Sequence, residues 1–110
     1  MTLKPVVPRD VALRDTDEAI AYYLREADEN VALAFIEALE RGYKQIATHP
    51  GSGSLRYAHE LALPGLRCLT LRRFPYLVFY LEHQHHIDVW RVLHGLRDIP
   101  EWLRDASTES

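Results

Sequence analysis

Apolar residues recur every three or four positions through the first half of the chain and every second position later on, which predicts helices followed by strands. Residues 3–7 are short and β-leaning, with Val6 and Val7 ahead of Pro8. A helix is expected over residues 8–27, because proline is tolerated in a first helical turn where its missing N–H has no partner to lose. Its apolar stripe is Leu13, Ile20, Leu24 and Ala27, with Ala12, Thr16 and Tyr23 beside it and Asp15 among the charged residues off the stripe. Asp28-Glu29-Asn30 breaks that rhythm and supplies capping oxygens for a second helix over residues 30–48. Ala32, Phe35, Leu39, Gly42 and Ile46 step along it by threes and fours. His49-Pro50-Gly51 stops the helix, and residues 51–54 are a flexible Gly-Ser loop.

Beyond the loop the period changes to two. Leu63-Pro64-Gly65-Leu66 has the signature of a type II turn. Strands are expected over residues 66–73, 76–82 and 87–93, with a polar turn at His83–His86 between the last two. His94-Gly95 ends the last strand, and Asp98 caps a final short helix. The expected fold is α+β, in one domain over residues 1–110: a short N-terminal strand, an antiparallel helical hairpin on a three- to four-stranded antiparallel sheet, and a short C-terminal helix. The tail 105–110 is expected to be disordered.

The strand over 76–82 is apolar on both sides, with Leu77, Phe79 and Leu81 opposed to Tyr76, Val78 and Tyr80. In the last strand Ile87, Val89 and Leu93 oppose Trp90 and Val92. A two-helix hairpin covers one face of such a sheet. The other face is then exposed as a protein interface, unless the final helix or another chain covers it.

Composition narrows the function classes. The hydrophobic fraction of 47% and charged fraction of 26% are those of an ordinary globular domain. A net charge of −3 argues against sequence-independent nucleic-acid binding, which draws its affinity from displacing counterions with a basic excess. The single cysteine, Cys68, rules out an internal disulfide, and no apolar run has the length of a signal peptide or membrane span. A cytoplasmic protein that does not engage the membrane is expected.

Few residues offer chemistry. His83-x-His85-His86 could share a metal, but it has no adjoining ligand cluster and reads as a solvated turn. Cys68, mid-strand among apolar neighbours, reads as packing. Gly51 and Gly53 precede no Lys-Ser/Thr, so there is no P-loop. No metal or cofactor is called for. The most specific stretch is His94-Gly95-Leu96-Arg97-Asp98. Structurally, Gly95 turns the chain and Asp98 caps the helix; functionally, His94 and Arg97 could act on a phosphodiester as acid/base and charge clamp.

Three segments carry a family resemblance: Glu60-Leu61 with Leu63-Pro64-Gly65-Leu66-Arg67, Phe74-Pro75-Tyr76-Leu77-Val78-Phe79-Tyr80, and Val89-Trp90-Arg91-Val92-Leu93-His94-Gly95-Leu96-Arg97-Asp98-Ile99-Pro100. In this order, over residues 3–103, the chain resembles the ParE branch of the RelE/ParE superfamily. The resemblance implies a bacterial growth-arresting toxin of a type II toxin–antitoxin pair, held in a hetero-oligomer by a ParD-like antitoxin. The antitoxin segment would lie on the second sheet face and the outer hairpin groove, at Tyr76, Val78, Tyr80, Trp90, Val92 and Phe35. ParE-like members are linked to DNA gyrase, which they poison by binding; Arg91, His94, Arg97 and Trp102 would face the target. RelE-like members instead cleave mRNA on the ribosome with strand cations. One of those cations follows the tyrosine that opens the strand over 76–82, where this chain has Leu77. A non-enzymatic gyrase inhibitor is therefore expected, with no direct nucleic-acid binding in isolation. The alternatives are an endoribonuclease using His94, Arg97 and Arg72, and a degenerate member that only binds its antitoxin.

Overall fold

The computed structural model describes residues 3–96, 99–101 and 103. The chain runs β1 (Val6–Pro8), α1 (Asp10–Glu26), α2 (Glu29–Thr48), a 3₁₀ turn (Pro50–Ser52), α3 (Arg56–Leu61), β2 (Arg67–Thr70), β3 (Tyr76–Glu82) and β4 (Ile87–His94). Residues 99–101 and 103 are helical. Asp28 caps α2 by accepting the Val31 N–H at 3.0 Å, which satisfies a donor with no partner inside the helix. Gly65, at φ 83°, and the Leu66 N–H to Leu63 carbonyl bond complete the turn anticipated before β2.

The sheet order is β1-β4-β3-β2, and it is mixed rather than antiparallel, because β1 runs parallel to β4. The long excursion through both helices returns the chain to β1's side in the same direction, which no tight turn could do. β1 covers β4 only from Ile87 to Val89. Trp90 then has no partner on β3, since Tyr80 pairs with Val89 and Phe79 with Arg91. That bulge slips the alternation, so Ile87, Val89 and Val92 face the hairpin while Trp90 and Leu93 face the other side. The strict alternation expected for β4 fails there.

On the hairpin side, Ala12, Ala19, Phe35, Leu39 and Ile46 pack on Tyr76, Val78, Tyr80, Val89 and Val92. The expected stripe of α1 is displaced. Leu13 and Leu24 are 49% and 52% exposed, whereas Val11, Ala12, Asp15 and Ala19 are buried. Small alanines let α1 lie close to the sheet, and the leucines fall on the outer side. The helix itself starts at Asp10, because Pro8 belongs to β1.

On the opposite side, α3 and the C-terminal helical residues Ile99 and Leu103 cover Phe79, Trp90 and Leu93. The Gly-Ser segment is not loose. Tyr80 Oη donates to the Pro50 carbonyl at 2.7 Å and accepts the Gly53 N–H at 3.0 Å, and Arg67 donates to the Gly53 carbonyl at 2.8 Å.

Asp15 joins α1 to β4. Arg91 donates through Nε and Nη2 to Asp15 Oδ2 and Oδ1 at 2.7 and 2.6 Å, with both side chains almost wholly buried. The Val92 N–H adds a third bond to Oδ2 at 3.0 Å, beyond the point where β1 ends.

Asp15→Ala, which leaves the Arg91 charge buried without its counter-ion, is expected to destabilise the protein by about 3–5 kcal/mol. The Asp15→Leu/Arg91→Met double variant should recover the part of that loss due to the unpaired charge, and not the part due to the stranded Val92 N–H, in urea denaturation. Tyr80→Phe, which strands the buried Gly53 N–H, is expected to cost about 1–3 kcal/mol by the same measurement.

Candidate functional site

A cleft of about 500 Å³ lies between α1 and the end of β4. Glu18, Tyr22 and Arg25 come from α1, Tyr76 from β3, and Val92 and His94 from β4, with Asp15 deep in the wall and Leu96 on the turn beyond β4. Tyr22 is 47% exposed and Leu96 is 91% exposed, an unusual state for a large apolar side chain. The Arg25 guanidinium lies 5.9 Å from the centre of the Tyr22 ring and 3.3 Å from Glu26.

His94 Nδ1 accepts the Leu96 N–H at 3.1 Å. Its neutral ring therefore carries the proton on Nε2. The ring meets Tyr76 edge-on, with centroids 5.2 Å apart. His94 is half-buried and lines the cleft; Arg72 is exposed on the turn after β2 and is not among the described residues that line it. Arg97 and Trp102 lie outside the described residues.

The residues anticipated as an antitoxin surface prove to be interior. Phe35, Val78, Tyr80 and Val92 are essentially inaccessible, and Tyr76 and Trp90 are buried. With the hairpin on one face of the sheet and α3 with the terminal helical residues on the other, neither face is left bare. Arg91, anticipated as target-facing, is 3% exposed and held by Asp15. Of the anticipated residues that are among the described ones, Tyr76, Val92 and His94 reach the cleft. Asp15, Glu18, Tyr22, Arg25 and Leu96 were not anticipated. Asp15 carried a signal, since it lies at helical spacing between Ala12 and Ala19, but its charge pointed outward.

A polar cluster holds the opposite end of the sheet. Arg9 makes two bonds to Asp88, at 3.0 and 2.9 Å, and stacks over Trp90 at 4.6 Å. Trp90 Nε1 donates to Asp88 at 3.2 Å, and His83 Nε2 lies 3.3 Å from the same carboxylate. Burial alone would raise the Asp88 pKa, but the bonds and charge of Arg9, with His83 and Trp90, outweigh it and hold the carboxyl below its ordinary 3.8. The His83 and His86 rings stack at 4.6 Å in the turn between β3 and β4. No group of three metal-ligating side chains occurs among the described residues. Burial pushes the Cys68 thiol up to about 11, with Arg56 opposing, so it is not a thiolate near neutral pH. No helix among the described residues is long and apolar enough to cross a membrane.

The model of the family described as ParE toxin of type II toxin-antitoxin system, parDE, matches residues 6–99. The chain belongs to the ParE toxin family. Among solved structures, it is similar to a chain of the chromosomal ParDE TA system from P. aeruginosa, with a TM-score of 0.69 and 20% sequence identity. That match covers 84% of this ParE-family chain and 96% of the other, and at this identity it shows the shared fold. No curated protein matches.

Because the folded Asp88 pKa is depressed, its contribution to stability is present above about pH 4 and is lost as pH falls through the folded value. The difference in unfolding free energy between the protein and Asp88→Asn is therefore expected to shrink between pH 5 and about pH 2. Denaturant melts across that range measure it.

Proposed function

We propose that this ParE-family chain is a toxin that acts by binding DNA gyrase, without catalysis of its own, and is silenced by a ParD-type antitoxin. The observation that carries the non-catalytic reading is the fate of the cations on the strands that follow the helices. β3 has none; its second residue is Leu77, packed against the apolar cluster beneath α3. On β2, Arg67 is bonded to the Gly51 and Gly53 carbonyls. On β4, Arg91 is buried against Asp15. An RNA-cleaving site needs cations free to stabilise charge on the phosphodiester, and these arginines are committed to holding the fold.

The antitoxin part rests on the family match and on the cleft, whose rim carries two large exposed groups, Tyr22 and Leu96. Exposed apolar groups around a concavity mark an interface. The similar chain from P. aeruginosa is part of a ParDE system, which fits a partner of the ParD kind.

Purified protein is expected to inhibit gyrase supercoiling and to accumulate cleaved DNA complexes, and a ParD-type antitoxin should relieve both. No inhibition at several-fold molar excess of folded protein overturns the gyrase reading. Cleavage of ribosome-bound mRNA that is lost in His94→Ala would replace it with the enzymatic one.

A further inference from the structure

The cleft has a wall of open strand edge. Gly95 donates its N–H to the Pro75 carbonyl at 2.8 Å, so residues 95 and 75 form a hydrogen-bonded pair of the β3–β4 ladder. The register continues with Leu93 opposite Leu77 and Arg91 opposite Phe79. By antiparallel alternation, the backbone groups of Val92 and His94 therefore point away from β3. They point toward the side that β1 occupies lower down, but β1 stops at Val89. Asp15 takes the Val92 N–H. The Val92 carbonyl and the His94 N–H are left facing the cleft, with no strand beside them among the described residues.

The other two edges are guarded. β1 is three residues long and ends in proline, which cannot donate to a further strand. β2 exchanges two backbone bonds with Ser54, at Cys68. The end of β4 has neither device, although it borders the cleft and the most exposed leucine.

We propose that the Val92–His94 edge is where an extended segment of the partner polypeptide adds as a further strand, in line with β1. This rests on the antitoxin reading and names where and how that partner binds. Backbone acceptor and donor at strand spacing are matched by another extended backbone, and a small molecule does not reproduce that spacing. Side chains of the incoming strand would alternate, with apolar groups meeting Tyr22 and Leu96 and a cationic group meeting Glu18.

Amide hydrogen exchange read by NMR tests this. The full chain is measured alone and in complex with its cognate ParD-type antitoxin. The His94 amide is expected to exchange readily in the free chain and to slow by at least ~100-fold in the complex. The Val92 amide, held by Asp15, should be slow in both. Leu96→Asp, on a fully exposed side chain, should leave the fold intact and weaken the complex by at least ~10-fold. A complex that forms with the His94 amide still exchanging freely overturns the strand-addition proposal and leaves the antitoxin reading standing. Protection of His94 in the free chain that grows with protein concentration assigns the edge to a second copy of this chain and also overturns it. Failure of the ParD-type protein to bind at all removes the antitoxin reading and this inference together.

Discussion

The fold turns on one carboxylate. Asp15 accepts three hydrogen bonds, two from the Arg91 guanidinium and one from the Val92 backbone, in a place almost closed to water. Such a group would be costly if any of those donors were missing, because a buried carboxylate needs its charge and its lone pairs satisfied. The interaction stands where the sheet would otherwise fail. β1 ends at Val89, Trp90 bulges out of the ladder, and the next free N–H on that edge is met by a helix instead of a strand. α1 therefore takes over part of β1's role, and its angle across the sheet leaves the cleft beyond Asp15.

The same logic explains why the interior contains so many polar ties for a small domain. The Tyr80 hydroxyl stitches the turn after α2 to the middle of β3, and Asp88 gathers Arg9, Trp90 and His83 around the start of β4. Each tie fixes a segment that propensity alone would leave loose: the Gly-Ser turn in one case, the three-residue strand β1 in the other. Apolar packing supplies the bulk of the stability, while these bonds fix register and direction, which packing by itself does not specify.

Elements with strong local periodicity were legible in the sequence. α2 shows its buried face in Ala32, Phe35, Leu39, Gly42 and Ile46, and the Pro64-Gly65 turn follows from its residue types. Features that depend on distant parts of the chain were not legible. The six-residue α3 has too few positions to show a period, and the direction of β1 is decided by the excursion between it and β4. The face of α1 was misjudged because its leucines carry more hydrophobicity than its alanines, while the close approach to the sheet needs the alanines. The expectation of a bare second sheet face has the same root. Aromatic residues on both sides of β3 looked like a surplus awaiting a partner, yet α3 and the terminal helical residues supply the missing layer from within the chain. What was legible of the cleft was His94, through the turn that follows it, with Tyr76 and Val92 named for a different surface; Asp15 was hidden by its charge.

A domain of this size has few arginines near its sheet, and structural and chemical uses compete for them. An arginine locked bidentately to a buried aspartate has its donors directed inward and its charge already balanced. It cannot also turn to clamp a phosphate without abandoning Asp15 and leaving that carboxylate unpaired, a loss larger than most single ligand contacts return. Arg67, tied to the turn that Tyr80 also holds, is under the same constraint in milder form. With Leu77 contributing to packing on β3, the strand cations act as internal ties. The surface proposed for outside contact is the rim of the cleft, with its tyrosine, its exposed leucine and its open strand edge. These are features suited to recognising a polypeptide, and that is what the proposed antitoxin reading asks of them.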